Sequence, residues 1–499
     1  MSGLLSPSGE PRRAAGGLPP ALIVLTAILF TLRLIVAAHV HLTEDEAYYR
    51  LWSMTPALGY YDHPPMIAWW IWVGRRLVGE TALGVRLLPI VATAVTGFLV
   101  FDLARLVGAE RRAALRAGIW FNAMLLPLAG GILAVPDAPA SLFWTVTLIC
   151  ALRAERANKR RWWIAAGVAA GLAVLSKYSA LFLGPGLLAW LLIVPRARVQ
   201  LAMPGPWIAC LTAAALIGLN LTWNADHEWL TFHKQFGRIA VHRFAPRYVV
   251  ELIAGQAVLM NPLIVVFLGM ALVKPKSETL APVSLAPLFA ASAPFVAYLV
   301  FHSLHDRVEA HWPTPLYPAL AVCAAVAAER MTERASWRGL AAAVPVLGWS
   351  VLAVGALVAA TPVGPMIGSP DLAAPIRGWP QFAKDLDARR RSAGAAWVGT
   401  VSYGLAAELA DERDLAAPVA QLDERDRWRT LRVGAPPDMS KPGIVVDLPR
   451  RVTIENLRLC FRRVDELGTI IRKTTNGSGV IYAEFRVADP LRNIMREGC

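Results

Sequence analysis

Charge is scarce in this 499-residue chain. Asp, Glu, Lys and Arg make up 17% of it, against roughly 25% in an average soluble domain. That shortage, with 56% hydrophobic residues arranged in blocks, excludes a soluble multidomain enzyme. Five Cys are too few for a disulfide scaffold, and none has a metal-type spacing. There is no phosphate-cradling or dinucleotide-type Gly loop. Disordered and collagen-like classes fail on the same composition. The one excess is basic: a net charge of +14. It would suggest nucleic acid if it formed a patch, but its distribution does not.

What is present is long apolar stretches. A membrane helix needs about 20 mostly apolar residues. About eleven stretches approach this by that criterion, near residues 22–39, 86–104, 115–133, 139–152, 162–176, 178–194, 206–223, 249–272, 282–301, 314–328 and 340–361. The Trp-rich segment Met66–Val78 is interrupted by Arg75 and Arg76 and reads as an amphipathic interfacial helix. Alternate connections carry the basic residues: Arg105, Arg111, Arg112 and Arg116, then Arg153 through Arg161, then Arg196 and Arg198, Lys274 and Lys276, and Arg330 through Arg338. By the positive-inside rule these face the cytoplasm, with the N-terminus. All nine His fall on the other side or at the first span's outer end. Aromatic belts occur at both interfaces, so they do not explain a one-sided His set. The outer face reads as the chemical surface.

The expected fold is therefore mainly α, a polytopic membrane protein of about eleven spans with a C-terminal α/β domain. Residues 1–20 read as a disordered cytoplasmic segment, 21–365 as the membrane domain, and 366–499 as a soluble domain on the outer side. The first span resembles a signal peptide in its basic flank. Cleavage would leave the acidic loop at a new N-terminus, so an uncleaved anchor is expected. Cys460 and Cys499 share the outer tail, where a bridge is permitted; the sequence leaves their pairing open.

Several outer motifs could carry chemistry. Glu44-Asp45-Glu46 follows the first span, with Tyr48, Tyr49 and Trp52 behind it. The same loop ends in Tyr60-Tyr61-Asp62-His63-Pro64-Pro65, where paired Pro stiffen the chain beside an acid and a proton carrier. Two acids on one loop suit a base and its orienting partner, though a solvated charge cap is the plainer explanation for either alone. Asp137, between Pro136 and an Ala-Pro pair, fits a helix N-cap on spacing alone. Lys177 interrupts two apolar runs and suits a lipid phosphate; snorkelling to the interface is its simpler reading. The loop from Trp223-Asn224 to Arg247 mixes aromatics with Gln235, Arg238 and Arg243, a blend suited to a sugar and an anionic group. Glu309 and His311 enter the tenth stretch.

Read in order, DEAYY, GYYDHPPM, PDAP, LSKYSALFL, HEWLTFHKQFGR and EAHWPTPLYPAL resemble the bacterial GT-C glycosyltransferases. That superfamily includes the protein O-mannosyltransferase-like, lipid A aminoarabinose transferase and rhizobial galacturonosyltransferase groups. The resemblance covers about residues 20–330. The tail segments SYGLAAEL and VAQLDERDRW look like tails of some uncharacterised members.

The resemblance implies a bacterial inner-membrane, multi-pass transferase, with active site and tail periplasmic. Its donor would be a polyprenyl-phosphate-linked sugar and its acceptor an envelope glycolipid, glycan or protein, with no nucleic acid involved. Asp45 matches the family's catalytic position, Glu46 is its neighbour, and Asp62 matches the acid before Pro-Pro. Lys177 resembles the aminoarabinose enzymes' phosphate-binding lysine, with His63, Arg238 and Arg243 assisting. Tyr48, Tyr49, Tyr61, Asp137, Trp223, Asn224, Gln235, Glu309 and His311 would contact substrate. This chain departs from DETRY and EKPP: Tyr48 replaces an Arg and His63 a Lys, which weakens the phosphate site. No cofactor is required, and no metal ligands are assigned; a divalent ion at Asp45, Asp62 and His63 is the alternative. Rival readings are an O-antigen ligase or polymerase and a lipid-linked sugar transporter, which would show inverted repeats with broken helices.

Overall fold

The computed structural model describes residues 17–237, 244–272, 283–331, 334–361, 371, 373–431, 434, 436–475 and 478–499. Each expected apolar stretch is helical over some of its length. Fewer than eleven qualify as spans, however. Five described helices are long and apolar enough to cross a membrane: Pro20–His39, Ala82–Leu106, Pro204–Asp226, Ala286–Ser303 and Ala335–Val358. Two bent pairs bring the number to seven at most: Tyr178–Ile193 with Pro195–Ala202 at 108°, and Arg247–Met260 with Pro262–Ala271 at 106°.

The difference has physical causes. The stretch at 115–133 breaks into Arg111–Phe121 and Leu125–Gly130. The stretch at 249–272 turns sharply at Asn261, whose φ of 81° ends one helix while Pro262 begins the next. The helix Asp137–Ala157 is long enough but carries Asp137, Arg153, Glu155 and Arg156. Hydropathy counts apolar residues; it does not register a bend.

Two features place the later site. The helix Asp137–Ala157 ends at Asn158 in the left-handed region, φ 48°, and the chain reverses into Arg160–Ser176. Asp137 and Lys177 thereby return to the same end of a hairpin. The second helix then lies very close to Pro204–Asp226, since a Cβ on Gly167 would fall 2.4 Å from the Ala209 carbonyl oxygen. Small residues permit such approaches between apolar helices. At the hairpin's opposite end, Arg116–Glu329, Arg153–Asp102 and Arg196–Glu155 pairs tie the basic connections together.

Beyond the first helix lie Glu44–Met54 and the expected amphipathic Met66–Val78, which buries Ile67, Ala68 and Ile71 and leaves Trp72 and Leu77 exposed. The tail forms a five-stranded mixed sheet with flanking helices, as expected of an α/β domain. Its strands are β1 (Trp397–Thr400), β2 (Val419–Gln421), β3 (Gly443–Asp447), β4 (Phe461–Thr475) and β5 (Ser478–Pro490), in the order β2-β1-β3-β5-β4. The first three are parallel, and β5 and β4 add antiparallel. Trp379, Phe382 and Leu386 of the helix Trp379–Ser392 pack on one face against Val398, Ile444 and Tyr482. Cys460 and Cys499 are bridged, with Cα atoms 5.4 Å apart.

Candidate active site

The first loop is held rigid before any chemistry begins. Thr43 caps the helix Glu44–Met54, accepting from the Glu46 N–H while the Glu46 carboxylate accepts from the Thr43 N–H. Tyr60 stacks on Trp52 at 4.5 Å, accepts from the Ala57 N–H at 2.9 Å and donates to the Trp52 carbonyl at 3.0 Å. The Tyr60–Pro65 turn therefore folds back on the helix that carries Asp45.

Four acids were of interest, and the structure separates their roles. Glu46 is fully buried. It receives Arg86 Nε at 2.7 Å and Nη2 at 2.5 Å, the Ala134 N–H at 2.9 Å, and the Thr43 N–H at 3.0 Å. Both of its oxygens are thereby engaged in joining three segments. Asp62 is buried, with Oδ2 accepting from the Tyr48 hydroxyl at 3.1 Å and from Arg427 Nη1. Asp137 is also buried and receives Lys177 Nζ at 2.7 Å, with His311 Nε2 3.8 Å from its other oxygen. The N-cap reading of Asp137 does not hold, because Pro136 takes that position and Asp137 is the first helical residue. Lys177 does not snorkel outward; it is 8% exposed at the break between two helical segments.

Asp45 differs from the other three. It is exposed, and its Oδ1 accepts a 2.9 Å hydrogen bond from the Tyr403 hydroxyl of the tail. Among the described residues it takes part in no ion pair, whereas Glu46, Asp62 and Asp137 each face a cation. The three site acids share one neighbourhood. Burial, then the charges of Asp45, Asp62 and Asp137, push the Tyr49 phenol well above its ordinary pKa. The surrounding protein lowers the His311 pKa; Asp137 opposes this and Lys177 reinforces it, with Asp45 also within electrostatic reach.

Tyr48 and Tyr49 are buried, and Tyr48 serves Asp62. His63 packs edge-on to Tyr49 at 6.1 Å. Tyr61 lines a cavity of about 440 Å³ with His233, Lys234 and Asp306. Trp223 stacks on His227 at 4.0 Å and borders a second cavity of about 550 Å³. Asn224 is fully buried and donates to the Asn220 carbonyl, and Gln235 donates to the Asp62 carbonyl. Glu309 is exposed beside His311. Arg238 and Arg243 lie outside the described residues. Among the described residues, no group of three His, Cys, Asp or Glu could hold a metal ion.

Sequence reasoning missed Arg86, Tyr403 and Arg427. Arg86 stood inside an apolar stretch, where a charge is itself a signal. Tyr403 and Arg427 fall within SYGLAAEL and VAQLDERDRW, segments noticed but given no role.

Residues 62–223 match the family model described as dolichyl-phosphate-mannose-protein mannosyltransferase. The chain is 33% identical over 214 residues to the lipid A galacturonosyltransferase RgtD of Rhizobium johnstonii, covering 41% of this chain and 44% of that protein. It is 27% identical over 206 residues to the undecaprenyl phosphate-α-4-amino-4-deoxy-L-arabinose arabinosyl transferase of Yersinia enterocolitica, covering 39% and 36%. The matches thus span less than half the length of these curated relatives. The fold likeness is broader. Apo ArnT from Cupriavidus metallidurans superposes with a TM-score of 0.60 at 16% identity, over 93% of this chain and 98% of that one. Its undecaprenyl phosphate complex gives 0.58, over 94% and 98%. The resemblance to the GT-C glycosyltransferases holds in both sequence and fold.

Proposed function

We propose that the chain is an integral membrane glycosyltransferase moving a sugar from a polyprenyl-phosphate donor to an envelope acceptor of the lipopolysaccharide or lipid A type. The observation that carries this reading is the division of labour among three adjacent acids, of which Asp45 alone is exposed and without a cationic partner among the described residues. The relatives' names and a fold shared along nearly the whole chain with an undecaprenyl phosphate-binding protein support the donor class.

The reaction is a single displacement at the anomeric carbon. The acceptor oxygen attacks that carbon as Asp45 takes its proton, and the carbon–oxygen bond to the lipid phosphate breaks. The departing phosphate gains negative charge. Lys177 presents three N–H donors, of which its Asp137 bond uses one, and His311 lies within electrostatic reach of Lys177 to assist. Donors fixed in advance where charge develops are effective because they need no reorganisation. The basic connections lie at the opposite end from Asp137 and Lys177, so the positive-inside rule directs the site and the tail to the periplasmic side of the inner membrane.

Two helix bends offer some support to a transporter, yet they fall at Val194 and Asn261, and none of the site acids is there. Organic extraction of the purified protein, followed by mass spectrometry, separates the readings. A co-purifying polyprenyl monophosphate is expected, reduced in Lys177→Met. A diphosphate-linked glycan would instead indicate a ligase or polymerase and overturn the proposal.

A further inference from the structure

We infer that the C-terminal sheet domain contributes two positioning residues to the transfer site, Tyr403 to Asp45 and Arg427 to Asp62. The inference rests on the proposed function and extends it to a segment the resemblance leaves without a role.

β1 and β2 are adjacent and parallel, so their carboxyl ends open on one side. In open α/β sheets that edge is where following loops present functional side chains. Tyr403 begins the helix Tyr403–Asp411 directly after β1, capped by Ser402. Arg427 lies in the short turn after β2. At the carboxyl end of β3, Asp447 accepts from the N–H groups of Val401 and Ser402 at 2.9 and 2.6 Å, which fixes the chain leading into Tyr403. The two residues therefore come from the two loops that this topology aims in one direction, and both aim at the first loop.

The contact is closely fitted. A Cβ on Gly404 would fall 2.3 Å from Glu44 Oε2, so the helix Tyr403–Asp411 approaches the helix Glu44–Met54 as nearly as a glycine allows. Flanking pairs, His41 with Glu412 at 2.8 Å and Arg50 with Asp411, hold the two together. Within the seam, Arg427 is buried. It donates to Asp62 and, through Nε at 2.5 Å, to Glu424, and it lies 4.1 Å from the Tyr403 ring and 5.4 Å from Tyr61. Asp62 is a buried carboxylate, and charges that are buried need pairing. Arg427 neutralises it, and the aromatic faces around the guanidinium favour a cation there. The loop has Tyr48 and His63 where related motifs carry cations; here the compensating cation reaches Asp62 from about 365 residues downstream. Tyr403 holds one oxygen of Asp45 and leaves the second to face an acceptor.

The test uses the full-length purified protein, with the polyprenyl-phosphate-sugar fraction of host membranes as donor and release of polyprenyl monophosphate as readout. Binding of undecaprenyl phosphate and thermal unfolding are followed in parallel. Tyr403→Phe is expected to lower kcat about tenfold and Arg427→Met about 100-fold, the range typical of displaced catalytic groups. The donor KM and undecaprenyl phosphate affinity should change less than about threefold, and Arg427→Lys should recover part of the loss. Gly404→Val, which wedges the seam without touching either side chain, should lower kcat in the same manner.

Wild-type kcat in both Tyr403→Phe and Arg427→Met overturns the inference while leaving the proposed function intact. A loss of activity that follows loss of folded protein and donor affinity together, with no recovery by Lys, also overturns it, since the tail would then only prop the fold. A wild-type protein that releases no polyprenyl monophosphate overturns the proposed function, and this inference with it.

Discussion

Replacing Asp45 by Asn is expected to reduce sugar transfer about 10²–10⁴-fold, the usual contribution of a positioned general base. The folded state should be unaffected. Asp45 is exposed and has a single described hydrogen bond, from Tyr403, which an Asn side-chain oxygen can still accept. The proposed donor site centres on the Lys177–Asp137 pair, which Asp45 does not contact, so the variant is expected to bind undecaprenyl phosphate as tightly as the parent chain. The measurement is turnover with a lipid-linked sugar, beside a binding isotherm and a thermal melt. Near-parental turnover would remove Asp45 from the role of base. It would favour an acceptor that is itself ionised, such as a phosphate, which needs no proton removed.

The neighbouring acid should behave in the opposite way. Glu46→Gln leaves Arg86 buried without its counter-charge, and removing one member of a buried ion pair typically costs about 3–5 kcal/mol. Arg86 is 1% exposed and also donates to the carbonyls of Val40 and His41, at 2.7 and 2.8 Å. The variant is therefore expected to lose much of its yield of folded protein, with residual activity falling in proportion to the folded fraction. Adding Arg86→Met to Glu46→Gln should restore part of the loss but not all, because those two carbonyls remain unpaired. A double-mutant cycle on unfolding in detergent measures this. A Glu46→Gln protein that melts like the parent yet is inactive would return Glu46 to the chemistry. Adjacent residues in one acidic triplet thus give two distinguishable phenotypes.

That contrast shows where sequence reasoning ran out. Glu44, Asp45 and Glu46 are equivalent as letters; their burial differs because Glu46 faces Arg86 and Ala134 across a distance that no local pattern encodes. Asp137 and Lys177 were both legible as candidates, since each interrupts an apolar context. Their contact was not, because it depends on the hairpin reversal at Asn158. The helical character of the apolar stretches was legible from composition. The number of full spans was not, since breaks such as Asn261-Pro262 change direction without changing hydropathy. The α/β character of the tail was an expectation that the sheet meets, while its docking on the first loop arises from strand order and a single glycine at the seam. For Gln235 and Asn224 the backbone carbonyls they bond were not legible, because those contacts depend on how the loops fold.

The central claim is the identity of the donor and what becomes of it. The most direct measurement incubates the purified protein with polyprenyl-phosphate-sugar and an envelope glycolipid acceptor, and quantifies both lipid products by mass spectrometry. The account predicts one polyprenyl monophosphate released for each sugar gained by the acceptor, with both lost together in Asp45→Asn. Transfer from a diphosphate-linked glycan alone, or glycosylated acceptor without polyprenyl monophosphate, would contradict it.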